Sequence, residues 1–379
     1  MDKKKIIQHK ANKKLLFFLL FSLTIFYSYY DQLIQNYYGN FDIERIYLTT
    51  SFIFALVLVY FTLDIKIKLF QTVSVVRKVS SRRQLIAWLI LISISLYGMQ
   101  YAVHLTYDLG WFNRAVRENV DFYSSGEWAI LKMLLISSYV VILFYSKDNT
   151  KQMLFNAALA ILVVAIVEVA LLGGRRLVVS MFIPAVFILV KDFKFKHLMY
   201  IFIFFVLMFL FGGLREYVFH SMSVTGSNDL INSILLSNEF QYVSSGMAWY
   251  LDLVNKDGIQ YGASYAKVFY YFLSLFGIGE VISAGRESGF FISIFSEAVL
   301  NYHWLAFIPF IIFIFIYARL VRNLNKIHSL VLLTLLIELF RTSFLEFVLS
   351  AILIYSFSYL IISLIRLQNI LRRNFLYRG

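Results

Sequence analysis

Apolar residues in this chain run in long unbroken stretches, where soluble strands would alternate with polar positions and soluble helices would show one apolar face. The stretches lie near residues 15–35, 46–63, 84–106, 128–146, 152–172, 177–190, 198–213, 302–318, 328–346 and 347–365. Several hold 18 or more residues without a charge, and about 20 residues at 1.5 Å rise cross the ~30 Å hydrocarbon layer of a bilayer. The pattern predicts an all-α polytopic membrane protein with about ten transmembrane helices. Because the stretches are spread from end to end, residues 1–379 read as a single membrane domain. The sixth stretch is short and holds Pro184, which predicts a kink or buried polar flanks.

One segment breaks the pattern. From Leu214 to Ser288 polar residues persist for many turns. Within this 214–288 insert, Leu230, Ile231, Ile234 and Leu235 repeat at helical spacing, as do apolar and aromatic residues from Tyr265 to Phe276. Both predict amphipathic helices on or in the membrane interface, where Tyr265 and Lys267 could touch a substrate.

Composition agrees, with 60% hydrophobic and 15% charged residues and a mean hydropathy of +0.73. The basic N-terminus is followed by an apolar run without a small-residue cleavage site, so it predicts a first span and no cleaved signal peptide. The absence of cysteine excludes disulfides and thiolate ligands.

A net charge of +13 raises the question of nucleic acid. Its distribution answers it. With the N-terminus in the cytoplasm and the spans alternating, most of the 35 Lys and Arg residues fall in cytoplasmic segments. These run from Lys3 to Lys14, from Lys66 to Arg83, at Lys147 and Lys151, from Lys191 to Lys196, from Arg319 to Lys326 and from Arg366 to Arg378. That is the positive-inside bias. It predicts both termini in the cytoplasm, a multi-pass inner-membrane protein, and no nucleic-acid partner. The bilayer is the expected partner.

Charges that this rule does not explain mark candidate chemistry. Gly173-Gly174-Arg175-Arg176 joins the fifth and sixth spans on the outward side. A guanidinium fork binds phosphate bidentately, and adjacent glycines let backbone approach an anion. Gly212-Gly213-Leu214-Arg215-Glu216 repeats the theme, with His220 one helical turn beyond Glu216. A carboxylate in a dry site or an imidazole near neutrality can serve as general base. Arg286-Glu287 precedes Ser288-Gly289-Phe290, and Glu297 follows in an apolar stretch where an ionisable group is costly. Glu338 and Arg341 share a helix face and predict a buried structural ion pair. Asp42-Ile43-Glu44, in the first outward loop, is an acidic pair flanking a helix start.

Taken in this order and facing one way, these patches resemble the Wzy-type O-antigen (oligosaccharide repeat-unit) polymerases, with the O-antigen ligases as related proteins. The resemblance rests on the span plan, Gly173 to Arg176, Gly212 to Glu216, the long outward segment, and Ser288-Gly289-Phe290 with Glu297-Ala298-Val299-Leu300-Asn301-Tyr302. One position departs: after Asn301-Tyr302, where the resemblance leads one to expect glycine, this chain has His303-Trp304. The resemblance implies a periplasmic face on which a glycan carried by undecaprenyl diphosphate is transferred to the sugar of another lipid-linked repeat unit. Arg175, Arg176, Arg215 and Arg286 would bind the diphosphate, with Glu216, His220 or Glu297 as base. No metal or other cofactor is implied. The partners implied are undecaprenyl-diphosphate-linked oligosaccharides and a regulator of chain length. The alternatives are an O-antigen ligase, for which His220 is a candidate, and a lipid-glycan flippase, against which stands the lack of matching halves.

Overall fold

The computed structural model describes residues 3–35, 42–63, 84–111, 120–124, 126–146, 150–171, 176–190, 194, 199, 202–203, 206, 239–259, 293–321 and 327–376. Every regular element among them is helical. In chain order these are α1 (Lys3–Gln35), α2 (Ile43–Thr62), α3 (Leu85–Leu109), α4 (Asp121–Ser124), α5 (Gly126–Ser146), α6 (Thr150–Ala165), α7 (Arg176–Leu189), α8 (Glu239–Asp257), α9 (Ile294–Tyr302), α10 (Phe307–Val321), α11 (Ile327–Thr334), α12 (Leu336–Arg341) and α13 (Phe344–Leu376). A wider π-helical turn, Ile166–Leu171, extends α6, and a 3₁₀ turn, His303–Leu305, joins α9 to α10.

Among the described residues, five helical stretches are long and apolar enough to cross a membrane: Ile43–Thr62, Leu85–Leu109, Gly126–Ser146, Lys151–Leu171 and Glu346–Gln368. Arg176–Ile188 and Phe307–Val321 are apolar but shorter. Five of the ten expected spans correspond to the long stretches, and two more, 177–190 and 302–318, correspond to the short ones. The first, 15–35, lies within α1, and most of 198–213 lies outside the described residues. The span expected at 328–346 is divided. Its helix steps at Leu335, ends at Arg341, and turns through extended Thr342 (φ −117°, ψ 165°) and Ser343 into α13.

Local chemistry accounts for these ends. Asp42 caps α2, its Oδ1 accepting from the amides of Glu44 (3.0 Å) and Arg45 (3.2 Å). Ser343 accepts from the amide of Glu346 at 3.2 Å, satisfying one donor that the first turn of α13 would otherwise expose. α3 stops at Gly110, whose φ of +88° suits glycine. Inside the helices, Ser95, Thr106, Ser137 and Ser146 donate to carbonyls four residues back, so these hydroxyls cost little in an apolar medium.

α5 is the hub. Two thirds of its apolar window is buried, against 28–39% in the other four long stretches, and it packs on α3, α6, α11 and α13. The other four expose large apolar side chains, including Phe54, Phe61, Leu96, Phe155, Leu162, Ile352 and Leu360. Exposed apolar surface on this scale suits lipid and would be a liability in water. A second group forms around α1, which packs on α2, α8 and α12.

The bundle has two chemically different ends. At one, Lys13 lies 4.2 Å from the centre of the Tyr60 ring, Arg319 donates to the Leu63 carbonyl, and Asn12, Leu16, Phe187, Ala318 and Val321 line a small cavity. Gln84, Ser146 and Asn156 close a hydrogen-bonded triangle with three 2.8 Å contacts. At the other end lie the starts of α2, α7 and α13 and the finishes of α9 and α12, which carry the candidate chemistry.

Candidate functional site at the end opposite Lys13 and Arg319

The tight turn between α12 and α13 organises two carboxylates. Glu338, on α12, is engaged bidentately by Arg176 at the first position of α7, its two oxygens meeting Nε and Nη2. The Glu338 carbonyl accepts from both the amide (3.0 Å) and the hydroxyl (2.8 Å) of Thr342, so the turn and the ion pair share one residue. Glu297, on α9, reaches the other side of the turn: its Oε2 accepts from the Phe344 amide at 2.6 Å, at the N-terminus of α13. A carboxylate at a helix N-terminus is favoured by the unsatisfied amides there.

α9 itself is unusual. All residues from Ile294 to Asn301 are buried, with Phe295 set among Phe52, Phe310 and Phe340 at centroid distances of 5.0–5.5 Å. Ser293 caps it through a 3.1 Å bond to the Ser296 amide. Asn301 donates to the Glu297 carbonyl at 2.8 Å. The costly carboxylate of Glu297 is thus carried by a helix buried within protein, where one of its oxygens accepts from backbone.

A second cluster lies where α9 ends. His303 Nε2 is 2.9 Å from Glu44 Oε1, and Asn255 of α8 donates to Glu44 Oε2 at 3.1 Å. His303 has φ +47° and ψ −116°, the one positive-φ non-glycine among the described residues. Tyr47 and Trp304 meet edge to face at 4.9 Å, and both are substantially exposed. Beneath this cluster Arg45 is fully buried, Nη2 donating to the Ser28 carbonyl of α1 (2.9 Å) and the Ser244 carbonyl of α8 (3.1 Å).

Of the residues singled out from sequence, Arg176 and Glu297 meet at one turn, together with Glu338. Glu338 was expected to pair with Arg341; the ion pair that the structure shows for it is with Arg176, 162 residues away in sequence. Arg175, Arg215, Glu216, His220 and Arg286 lie outside the described residues, as do Tyr265, Lys267 and the expected amphipathic helices at 230–235 and 265–276. The described part of the 214–288 insert is α8, which is docked on α1 and α9 through Val243, Met247, Leu251 and Val254.

Three features went unread in the sequence. Arg45 carries no mark in the sequence beyond a charge near a helix start. Glu44 and His303 are 259 residues apart, and the only hint was the histidine standing where glycine was expected. Glu168 lies in the π-helical turn after α6, is 5% exposed, and makes no hydrogen bond or ion pair with a described residue. An intramembrane acid in a π-turn could have been flagged on cost alone. Comparison with protein-family models, with curated proteins and with solved structures gives no match to this chain.

Proposed function

We propose that this protein is a membrane glycosyltransferase of the Wzy type, which polymerises undecaprenyl-diphosphate-linked oligosaccharide repeat units on the periplasmic face of a bacterial inner membrane. In this reading both termini are cytoplasmic and the Glu44–His303 end faces outward. The observation that carries it is Arg176: a guanidinium held bidentately by Glu338 at a tight helix turn, at the end opposite the one that gathers Lys13 and Arg319. A diphosphate leaving group develops charge at such a surface, and a fixed guanidinium opposes it at no reorganisation cost. Arg175, Arg215 and Arg286 complete the anion site in this proposal, since each falls on the same side in the alternating topology.

The chemistry is a displacement. The acceptor hydroxyl oxygen forms a bond to the anomeric carbon of the donor glycan, the bond from that carbon to the diphosphate oxygen breaks, and undecaprenyl diphosphate departs with the electron pair. The acceptor proton must go to a base.

The test is a reconstituted assay with the purified protein in lipid nanodiscs and short undecaprenyl-diphosphate-linked repeat units. A ladder of product lengths is the expected outcome. Transfer solely to lipid A core sugar would make it a ligase, and movement of lipid-linked units across a vesicle without any new glycosidic bond would make it a flippase. Either result would displace the polymerase reading.

A further inference from the structure

We infer that Glu44, His303 and Asn255, with the Tyr47–Trp304 pair beside them, form the acceptor-sugar subsite, in which His303 is the general base. This rests on the transferase reading above and names its base and the surface that receives the acceptor.

The arrangement of protons follows from the contacts. An ionised carboxylate only accepts hydrogen bonds, so for a neutral imidazole the tautomer that fits the 2.9 Å contact with Glu44 Oε1 carries its proton on His303 Nε2. Nδ1 then carries the lone pair, and it has no protein partner among the described residues. A carboxylate that fixes the tautomer and sits beside the developing imidazolium is the orienting half of a catalytic dyad. Glu44 is itself fixed: it lies in the first turn of α2, where helix amides favour an acid, and Asn255 donates to its second oxygen at 3.1 Å.

The backbone supplies an independent argument. His303 terminates α9 with its amide bonded to the Val299 carbonyl, in a positive-φ conformation that glycine adopts without penalty. For histidine this conformation is strained, and strain of this kind persists where it places a working side chain. A glycine here would make the better helix end. What histidine adds is the imidazole at Glu44.

The surroundings suit a sugar. Tyr47 and Trp304 present exposed aromatic area next to a carboxylate and an amide, an apolar ledge with polar groups at its rim. A pyranose packs its C–H face on such a ledge and directs hydroxyls to the rim. In the transfer step Nδ1 takes the acceptor hydroxyl proton as its oxygen bonds to the donor anomeric carbon. The diphosphate leaves with the electron pair of the broken bond, and the imidazolium is held against Glu44 until the proton passes to water.

The experiment uses the full-length protein in nanodiscs with short undecaprenyl-diphosphate-linked repeat units. His303→Gly is expected to fold at least as well as wild type and to lose about 100-fold or more of the rate, the usual contribution of a general base. Added imidazole should restore a measurable part of that loss. Glu44→Gln keeps the contact without the charge and should lower kcat with little change in KM, whereas Trp304→Ala should raise KM. Full activity of His303→Gly would overturn the inference, as would a folded His303→Gly whose lost rate imidazole does not restore. If the wild-type protein forms no glycosidic bond, the transferase reading fails and this inference falls with it. If wild type polymerises and His303→Gly does so equally well, this inference alone falls.

Discussion

The Arg176–Glu338 pair makes an asymmetric prediction. Two fifths of the Arg176 side chain is exposed but only 12% of the Glu338 side chain, so the two partners lose different things when separated. Arg176→Ala strands a carboxylate in a mostly dry site. Removing one partner of a fully buried pair costs about 3–5 kcal/mol, whereas an exposed pair is worth about 1 kcal/mol or less. The half-open geometry puts Arg176→Ala between these limits, at about 2–3 kcal/mol. Glu338→Gln should cost about 1 kcal/mol or less, because the amide keeps a hydrogen bond and the Arg176 side chain, 41% exposed, stays hydrated. The double variant should be much closer to one single variant than to the sum of both, since the two residues form one interaction. Thermal unfolding in nanodiscs, followed by intrinsic tryptophan fluorescence at a fixed scan rate, reads the order. Equal losses, or a larger loss from Glu338→Gln, would refute the reasoning. Activity then separates support from chemistry: if Glu338 aims Arg176 at a diphosphate, Glu338→Gln should slow transfer well beyond its small effect on stability.

Two further substitutions test the packing. At Gly98 of α3 an added Cβ would lie 2.6 Å and 2.8 Å from two ring carbons of Trp128, which is 1% exposed and backed by Phe122 at 5.5 Å. Carbon contacts settle near 3.5–4.0 Å, so Gly98→Ala should gain at most about 1 kcal/mol of helix propensity and lose about 1–3 kcal/mol to overpacking. A lowered unfolding temperature and a shifted tryptophan emission are expected; a gain in stability would show that α3 and α5 separate easily. Glu168→Leu should raise the unfolding temperature, because it removes a buried acid that has no described partner. A loss of stability there would mean that Glu168 is held by residues outside the described set.

The ease of reading the fold followed the physics of each signal. Spans such as 46–63 and 84–106 announced themselves because burial in lipid requires a continuous apolar run, and composition alone carries that. The division of the ninth span did not, because the polar residues Glu338, Arg341, Thr342, Ser343 and Glu346 are spread over more than two turns, and hydropathy alone does not say at which of them the helix breaks. The cue was chemical: Ser343 and Glu346 form the Ser-x-x-Glu spacing of a capping box, and Ser343 does cap α13. The acidic pair at 42–44 divides in a way sequence could not show. Asp42 closes the start of α2, and Glu44, two residues on, turns to His303 and Asn255.

The candidate site resisted reading for a related reason. Its contacts join residues 44 with 303, 176 with 338, and 297 with 344, and no periodicity within a helix encodes pairings across such intervals. What the sequence does carry is the cost of each member. Glu297 in an apolar stretch and Arg176 on a side otherwise poor in cations are both expensive, and both were visible for that reason. His303 was visible only as a departure, and its cost became clear when the backbone gave it a conformation suited to glycine. Each of these costs is offset at an interruption of the helical ladder: Glu297 by the first amide of α13, Arg176 by the residue whose carbonyl receives Thr342, and His303 by the carboxylate in the first turn of α2. Helix interruptions expose backbone donors and acceptors that lipid cannot satisfy. Among the described residues these three lie at one end and hold Glu297, Arg176 and His303 there, which is why the proposed chemistry is assigned to that end.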